Sequence, residues 1–232
     1  MPFRVRPFRD RLLNRLVKRA PLEELGQGAV PIRAADPASD VVLVREGHLQ
    51  LELARPSTER RAVDVVLPWE VTGTEAVLRA GLYRWDAVAP APAVVQRLPG
   101  SEVRRVLQRA EGTLDAFLLA SRERLALARL LGHGATGTTA AQRLGLLLLH
   151  LGGRAVRPDP RDTDPGPPEG RGGPLDLPFR ITHRALGEMA GLHRSTVTTL
   201  LNDWLYRDLL EDREPGWRIP DPETFLREIS PR

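Results

Sequence analysis

The stretch ITHRALGEMAGLHRSTVTTLLNDWLYRDLL, residues 181–210, holds two helical patterns separated by one glycine, and that arrangement decides how the chain is read. Thr182 can cap a helix by accepting a hydrogen bond from an amide two or three residues on, and Ala185, Leu186, Met189 and Ala190 then recur at helical spacing. Gly191 can take positive φ without steric cost, and Leu192 follows it as the apolar plug of a short turn. A second helix is predicted from His193 or Arg194, with Val197, Leu200, Leu201, Trp204 and Leu205 on its inner face. Its outer face carries Arg194, Ser195, Thr198, Thr199 and Asn202, all able to hydrogen-bond bases or phosphates. Arginine pairs bidentately with guanine O6 and N7, and near a helix N-terminus it reaches the floor of the major groove. The pattern is that of a DNA-reading helix-turn-helix.

A helical hairpin with an ordinary solvated face fits the same thirty residues, so the continuation matters. Leu209 and Leu210 lead into Glu211, Asp212, Arg213 and Glu214, then Pro215-Gly216, then Trp217-Arg218-Ile219. Two short strands joined at Pro215-Gly216 would form a wing beside the second helix. At this point the sequence resembles the winged-helix end of the cyclic AMP receptor and fumarate-nitrate regulator (Crp/Fnr) superfamily of bacterial transcription factors. The resemblance is carried by Ile181-Thr182, Leu186-Gly187, Ala190-Gly191, Arg194-Ser195-Thr196-Val197, Leu200-Leu201 and Asp208-Leu209-Leu210. It implies a DNA-contacting set of Thr182, His193, Arg194, Ser195, Thr196, Thr198, Thr199 and Asn202, with Arg194 in the place of the family's guanine-contacting arginine. Thr199 stands where the family often has a second long reader, which leaves a thymine methyl or a phosphate as its contact. Thr198 and His193 are assigned to the DNA backbone.

Composition sets bounds on the rest. The 232 residues include no cysteine, which excludes disulfides, thiolate catalysis and the cysteine-ligated iron-sulfur cluster that some members of the resembled family carry. No apolar run approaches the roughly 18 residues needed to cross a bilayer, and no signal-peptide pattern follows the basic start, so a cytoplasmic protein is expected. The formal net charge of +4 is unevenly placed. Residues 1–19 hold seven basic residues and one acid, residues 20–177 nineteen against twenty, and residues 178–232 eight against nine. The winged segment is therefore not basic, and DNA binding there must rely on a few placed arginines and on helix N-terminal amides. All but one of the 34 basic residues are arginine, Lys18 being the exception, and alanine, glycine and proline are plentiful. That bias is also what a genome-wide coding preference would produce, so the high pI alone does not argue for a functional choice.

Residues 4–19 place Phe8, Leu12, Leu13, Leu16 and Val17 among arginines, which suits an amphipathic helix. Packing on the following domain is the favoured reading, with a membrane-surface or transit role, or contact with DNA backbone, left open. From residue 29 to residue 99 the pattern changes to strands. Val41, Val42, Leu43 and Val44 form an apolar run, Glu46-Gly47 is a turn, and Leu49, Leu51 and Leu53 alternate with polar residues, which predicts a hairpin. Val63, Val65 and Leu67 repeat the alternation, and residues 88–98 close the series as one proline-interrupted strand at an edge or a bulge. Such a series implies a small antiparallel barrel or roll.

The strand order resembles the sensor domain of the same superfamily, where Val41-Val42-Leu43-Val44-Arg45-Glu46-Gly47 matches the usual strand-turn entry. In that family the roll binds a cyclic nucleotide through a Gly followed by Glu for the ribose and an Arg followed by Ser or Thr for the phosphate. The corresponding residues here are Gly73, Thr74 or Glu75, Arg84 and Trp85. Trp85 replaces the small hydroxyl, cannot supply its bond, and fills space a phosphate needs. The pocket is thus expected to be degenerate, with Arg84 and Glu75 an ordinary surface or partly buried pair.

Ser101 can cap a helix through Val103, Val106, Leu107 and Ala110. Beyond Gly112-Thr113, the residues Leu114, Phe117, Leu118, Ser121, Leu125, Ala128 and Leu131 form one apolar seam. It can lie on the roll; in the resembled family this helix pairs with its copy, which implies a homodimer with Leu114, Phe117, Leu118, Ser121, Leu125 and Ala128 at the interface. Residues 132–137 read as a hinge, residues 140–151 as a nearly buried helix, and residues 152–174, with six glycines and six prolines, as an extended or disordered loop without a binding role. Asp221-Pro222 starts a final helix carrying Phe225, Leu226 and Ile229.

The five histidines show no metal-ligand spacing, and residues 132–137 lack the Gly-Lys-Ser/Thr ending and the preceding strand of a phosphate loop, so neither catalysis nor a cofactor or metal is expected. The whole reads as an α+β chain: an antiparallel β-roll over residues 1–110, a dimerisation helix and hinge over 111–135, and a winged helix-turn-helix over 136–232. The implied partners are double-stranded DNA, a second copy of the chain and RNA polymerase, with no membrane. A sensory or scaffold protein using the roll and wing for ligand or protein contacts is the alternative.

Overall fold

Alternation in the first hundred residues produces two antiparallel sheets. The structure, a computed structural model, describes residues 11–54, 60–78, 81–109, 138–155, 173–177 and 179–230. These fall into two compact units, residues 11–109 and residues 138–230. The expected dimer seam from Leu114 to Ala128, the 132–137 hinge and most of the 152–174 loop lie outside the described residues.

In the first unit, β1 (Leu22–Leu25), β2 (Asp40–Glu46), β5 (Val71–Thr72) and β7 (Ala93–Pro99) form one sheet in the order β1-β7-β2-β5. A second sheet, in the order β4-β3-β6, is made of β3 (Leu49–Ala54), β4 (Arg60–Val66) and β6 (Asp86–Val88). The unbroken apolar run of β2 follows from burial on both faces, since successive strand residues point opposite ways. Val42 and Val44 pack with Leu49, Leu51, Val66, Ala87 and Val95 in one core cluster. Val41 and Leu43 face a second cluster with Leu98 and with side chains of three helices, α1 (Arg11–Arg19), α2 (Glu75–Leu78) and α3 (Gly100–Leu107).

The favoured reading of the opening helix holds: Val17 is buried in the second cluster and Leu16 packs against it. Buried Gln96 fixes the end of that helix, because its side-chain amide donates to the Val17 carbonyl at 2.9 Å and to the Ala20 carbonyl. Its oxygen accepts from Arg45 Nη1 at 2.6 Å, and the Arg45 guanidinium lies 4.1 Å over the Trp69 ring.

Three expectations about strands and caps fail in this unit. The predicted β2–β3 hairpin is absent, since β2 pairs with β5 and β7 while β3 pairs with β4 and β6. A register shift between Val44 and Glu46, followed by Gly47 at φ +70°, carries the chain from one sheet to the other. A Cβ on Gly47 would lie 2.7 Å from the Pro92 carbonyl oxygen, so the crossing also needs the missing side chain. The single strand expected over 88–98 is two strands in different sheets, with Pro90 and Pro92 in the link, and β7 is an inner strand of its sheet. Ser101 caps nothing, because α3 starts one residue earlier with Pro99 at its N-cap.

The second unit opens with α4 (Ala140–Ala155), which buries Leu144, Leu147, Leu148 and Leu151. Thr139 and Gln142 cap it reciprocally: the Gln142 amide donates to Thr139 Oγ1 at 3.1 Å and the Thr139 amide to Gln142 Oε1 at 2.8 Å. The expected end at residue 151 is four residues short, since the helix runs through Gly152 and Gly153. A Cβ on Gly152 would stand 3.0 Å from that of Leu175, so its bareness lets β8 (Leu175–Leu177) pack on the helix. Next come α5 (His183–Ala190), α6 (Arg194–Tyr206), β9 (Glu211–Arg213), β10 (Gly216–Ile219) and α7 (Pro222–Ile229). The wing is a three-stranded sheet in the order β8-β10-β9, one strand more than expected. Asp221 accepts from the Glu223 and Thr224 amides at 3.0 Å, the cap predicted for α7, whose Phe225 and Ile229 are buried while Leu226 is exposed.

Gly216 sits where β10 crosses β8 so closely that a Cβ there would lie 1.8 Å from the Leu177 carbonyl oxygen. That oxygen is backbone and cannot swing aside. Gly216→Ala should therefore cost about 3 kcal/mol, the upper end of ordinary overpacking, measured by chemical denaturation. A loss within the few tenths typical of surface changes would show that the strands separate freely.

His48, buried where the chain passes from β2 to β3, has its imidazole pKa pushed down to about 4 by burial. The folded protein thus holds it neutral while the unfolded chain protonates it near its ordinary value of about 6.5. Its contribution is complete above that value and declines as pH falls towards 4, by about 3 kcal/mol in all. Denaturation series at several pH values should show the parent protein losing that much more than His48→Asn on acidification; parallel curves would count against this account.

Candidate nucleic-acid interface

The helix-turn-helix is assembled by local signals. Thr182 Oγ1 accepts from the Ala185 amide at 3.1 Å, and Gly191 ends α5 at φ +66°. The Leu192 amide donates to the Gly187 carbonyl at 2.7 Å, and Arg143 Nη1 donates to the Gly191 carbonyl at 3.3 Å, so α4 braces the turn. Val197, Leu201 and Trp204 are buried on the inner side of α6.

The outer side presents the expected residues together. His193, Arg194, Ser195, Thr199 and Asn202 are exposed, Thr196 and Thr198 are half-buried, and Thr182 is exposed at the start of α5. His193 is the N-cap of α6 but supplies no side-chain bond, so the first-turn amides have no side-chain cap. Two threonine hydroxyls are already committed: Thr198 Oγ1 donates to the Arg194 carbonyl at 3.0 Å and Thr199 Oγ1 to the Ser195 carbonyl at 3.1 Å.

The arginines divide into two kinds. Arg180 pairs with Asp212, Arg184 with Glu188 at 2.8 Å, Arg207 with Asp203 and Glu228, Arg213 with Glu211 at 2.9 Å, and Arg218 with Asp176 through two bonds at 2.6 and 3.0 Å. The Arg218 bonds hold the Asp176 carboxyl below its usual range. All six pairs are solvent-exposed and contribute little to stability. They do neutralise the cations involved. Arg194, exposed in the first turn of α6, has no carboxylate partner among the described residues.

One residue at this surface escaped the sequence reading. His183 lies on α5 with its ring stacked on buried Trp217 of the wing, centroids 6.5 Å apart and planes 30° apart. Its Nδ1 is 2.9 Å from Thr198 Oγ1 on α6. Burial, followed by the charges of Arg194 and Arg180, lowers its pKa. Nothing in the spacing of five scattered histidines distinguishes it; the signal exists only when three elements meet.

In the first unit, Gly73 has φ +76°, Glu75 is buried at the start of α2, Arg84 is exposed, and Trp85 packs half-buried against the first core cluster. The expected Glu75–Arg84 pair does not form, because one side chain is turned into the protein and the other into solvent. Between them Tyr83 OH donates to the Asp40 carbonyl at 2.8 Å and accepts from the Asp40 amide at 2.9 Å. No group of three His, Asp or Glu side chains is placed to hold a metal among the described residues, and no helix among them is long and apolar enough to cross a membrane.

Comparison with known proteins follows this division of the chain. Residues 22–110 match the model of the cyclic nucleotide-binding domain, and residues 142–228 match that of the Crp-like helix-turn-helix domain. Among solved structures, FixK2 from Bradyrhizobium japonicum matches with a TM-score of 0.70 at 18% identity, over 92% of this chain and 98% of that one. A CRP-family transcriptional regulator from Thermus thermophilus matches at 0.58 and 21% identity, over 89% and 96%. The c-di-GMP responsive global regulator CLP of Xanthomonas campestris matches at 0.56 and 15% identity, over 87% and 94%. No curated protein sequence matches. Two family models thus cover successive parts of the chain, which carries the domain pair and the α+β fold of the Crp/Fnr superfamily of transcriptional regulators.

Proposed function

We propose that this protein is a sequence-specific DNA-binding regulator that acts in the cytoplasm as a homodimer on a palindromic site, together with RNA polymerase, and without dependence on a cyclic nucleotide. The observation that carries the DNA reading is Arg194: in a unit whose other exposed arginines are mostly tied to carboxylates, the unpaired one stands in the first turn of the second helix. A guanidinium held there without an internal partner is available for guanine O6 and N7. The committed hydroxyls refine the neighbouring roles. A phosphate accepts hydrogen bonds and donates none, and Thr199 gives its hydroxyl proton to the Ser195 carbonyl, which favours a thymine methyl as its contact. By the same reasoning, Thr198 supports the DNA backbone through His183 rather than through its own hydroxyl. Binding by this face calls for no enzymatic step.

The paired wing arginines favour a second reading, in which the unit contacts another protein. A salt titration separates the two, because phosphate contacts release counterions and make affinity fall steeply with salt. For the DNA reading, Arg194→Ala should cost about 1–3 kcal/mol on a duplex selected from a random pool and relax selectivity at one base pair of each half-site. An unchanged ratio of selected to scrambled binding would remove Arg194 from the reading role, and a flat salt response would favour protein contacts.

Independence from cyclic nucleotides is supported by Trp85, whose indole is occupied with the roll's own core, and by the exposure of Arg84 away from Glu75. Calorimetric titration with cyclic AMP and with cyclic GMP should show no saturable binding in the micromolar range. Saturable heat accompanied by tighter DNA binding would reinstate the pocket.

A further inference from the structure

His183 joins all three parts of the candidate DNA interface. Its ring stacks on Trp217 of the wing, its backbone belongs to α5, and its Nδ1 meets Thr198 on α6. Thr198 has one hydroxyl hydrogen, and the Arg194 carbonyl takes it at 3.0 Å. Both bonds exist together only if Nδ1 carries a hydrogen and donates it to Thr198 Oγ1. In the neutral ring Nε2 is then a bare lone pair, with no partner among the described residues. Protonation leaves the Thr198 bond intact and changes Nε2 alone, from acceptor to charged donor.

The location gives that change a use. The major groove is about 12 Å wide, close to the diameter of a helix with its side chains. A ring bonded to the flank of a helix lying in that groove is therefore at the groove's phosphate wall. We infer that His183 is a positioning residue that fixes the recognition helix through Nδ1 and takes up one proton when DNA binds, Nε2 then donating to a phosphate. The inference rests on the DNA-binding reading.

The charges acting on the ring agree with it. Arg194 from α6 and Arg180 from the segment before α5 oppose its protonation, and burial adds to them. On its own helix, Arg184 is paired with Glu188; on the wing, Trp217 is uncharged and Asp212 is paired with Arg180. No carboxylate among the described residues bonds to the ring, so the free protein holds it neutral near pH 7. A phosphate adds the missing opposite charge, and Arg194 meanwhile engages the duplex. The pKa is thus higher in the complex than in the free protein, so affinity is greatest at acid pH and falls as pH rises through the complex's pKa.

Anisotropy titrations of the full-length protein with a fluorescent mixed-sequence duplex, between about pH 5.5 and pH 8, test this. One proton allows a decline of up to about tenfold per pH unit, and the salt slope should be steeper by about 0.9 at the acid end, as for one added phosphate contact. In His183→Asn the amide stands in for Nδ1–H and donates to Thr198 but cannot titrate. Relative to its own affinity at pH 8 that variant should show a flat pH profile, whereas His193→Gln, which alters the exposed histidine at the α6 N-cap, should keep the parent's pH slope whatever its absolute affinity. A flat profile in the parent, or a parent-like profile in His183→Asn, overturns the inference. Loss of the profile in His193→Gln reassigns the proton and overturns it as well. Absence of salt-dependent duplex binding at every pH would instead overturn the DNA reading beneath it.

Discussion

Trp204 is the residue on which the winged unit depends. Its ring is buried at the end of α6, edge-on to Phe225 of α7 with centroids 5.0 Å apart. Its carbonyl accepts from the Leu209 amide at 2.9 Å and from the Leu210 amide at 3.2 Å, after Asp208 has taken φ +54°. One residue therefore ends the second helix, turns the chain into the wing and seats the last helix. Asp suits that turn, being among the few non-glycine residues that visit the left-handed region with modest strain. The wing can then stand beside α6 instead of trailing from it, which is what brings Trp217 against His183.

Polar atoms on the outer face of α6 are more constrained than their exposure suggests. The hydroxyls of Thr198 and Thr199 are bonded back to the helix, and five neighbouring arginines are held by acids. Of the polar side chains the resemblance assigned to DNA, Arg194 combines full charge with freedom from a carboxylate. A surface arranged this way has little generalised attraction for a polyanion, consistent with the absence of a basic excess in residues 178–232. On the proposed DNA-binding reading, discrimination depends on a few placed contacts more than on charge density, which suits a reader that must ignore most of the duplex it meets.

What was legible in the sequence was what neighbouring residues determine. The Thr182 and Asp221 caps, the left-handed Gly191 and the leucine stripe of α4 all depend on side chains within a turn or two of one another. Thr139 and Gln142 carry an equally local capping signal that went unread. Strand pairing is not local. Alternation at Leu49 and Leu51 revealed a strand, but nothing in it told that β2 would choose β7, more than fifty residues away, over its neighbour β3. Strand β8 was hidden by the glycines and prolines before it, and its pairing with β10 becomes visible only beside Gly216. His183 illustrates the same limit at the site, since its partners Thr198 and Trp217 come from two other elements.

The sensor-like roll shows how substitution changes a site without changing a fold. Gly73 keeps its positive φ because a Cβ would stand 2.7 Å from the Asp40 carbonyl oxygen, a backbone reason independent of any ligand. Glu75 begins α2, whose terminal carbonyls at Ala76 and Val77 accept from Arg104 of α3. Trp85 rests on the core between the sheets, and Tyr83 bonds both backbone groups of Asp40. The segment from Gly73 to Trp85 thus has structural work at each end and in the middle that does not involve a nucleotide. Retention of its backbone is weak evidence for retention of ligand binding, and on the proposed reading the indole contributes packing where the resembled sensor domain has a hydroxyl for a phosphate.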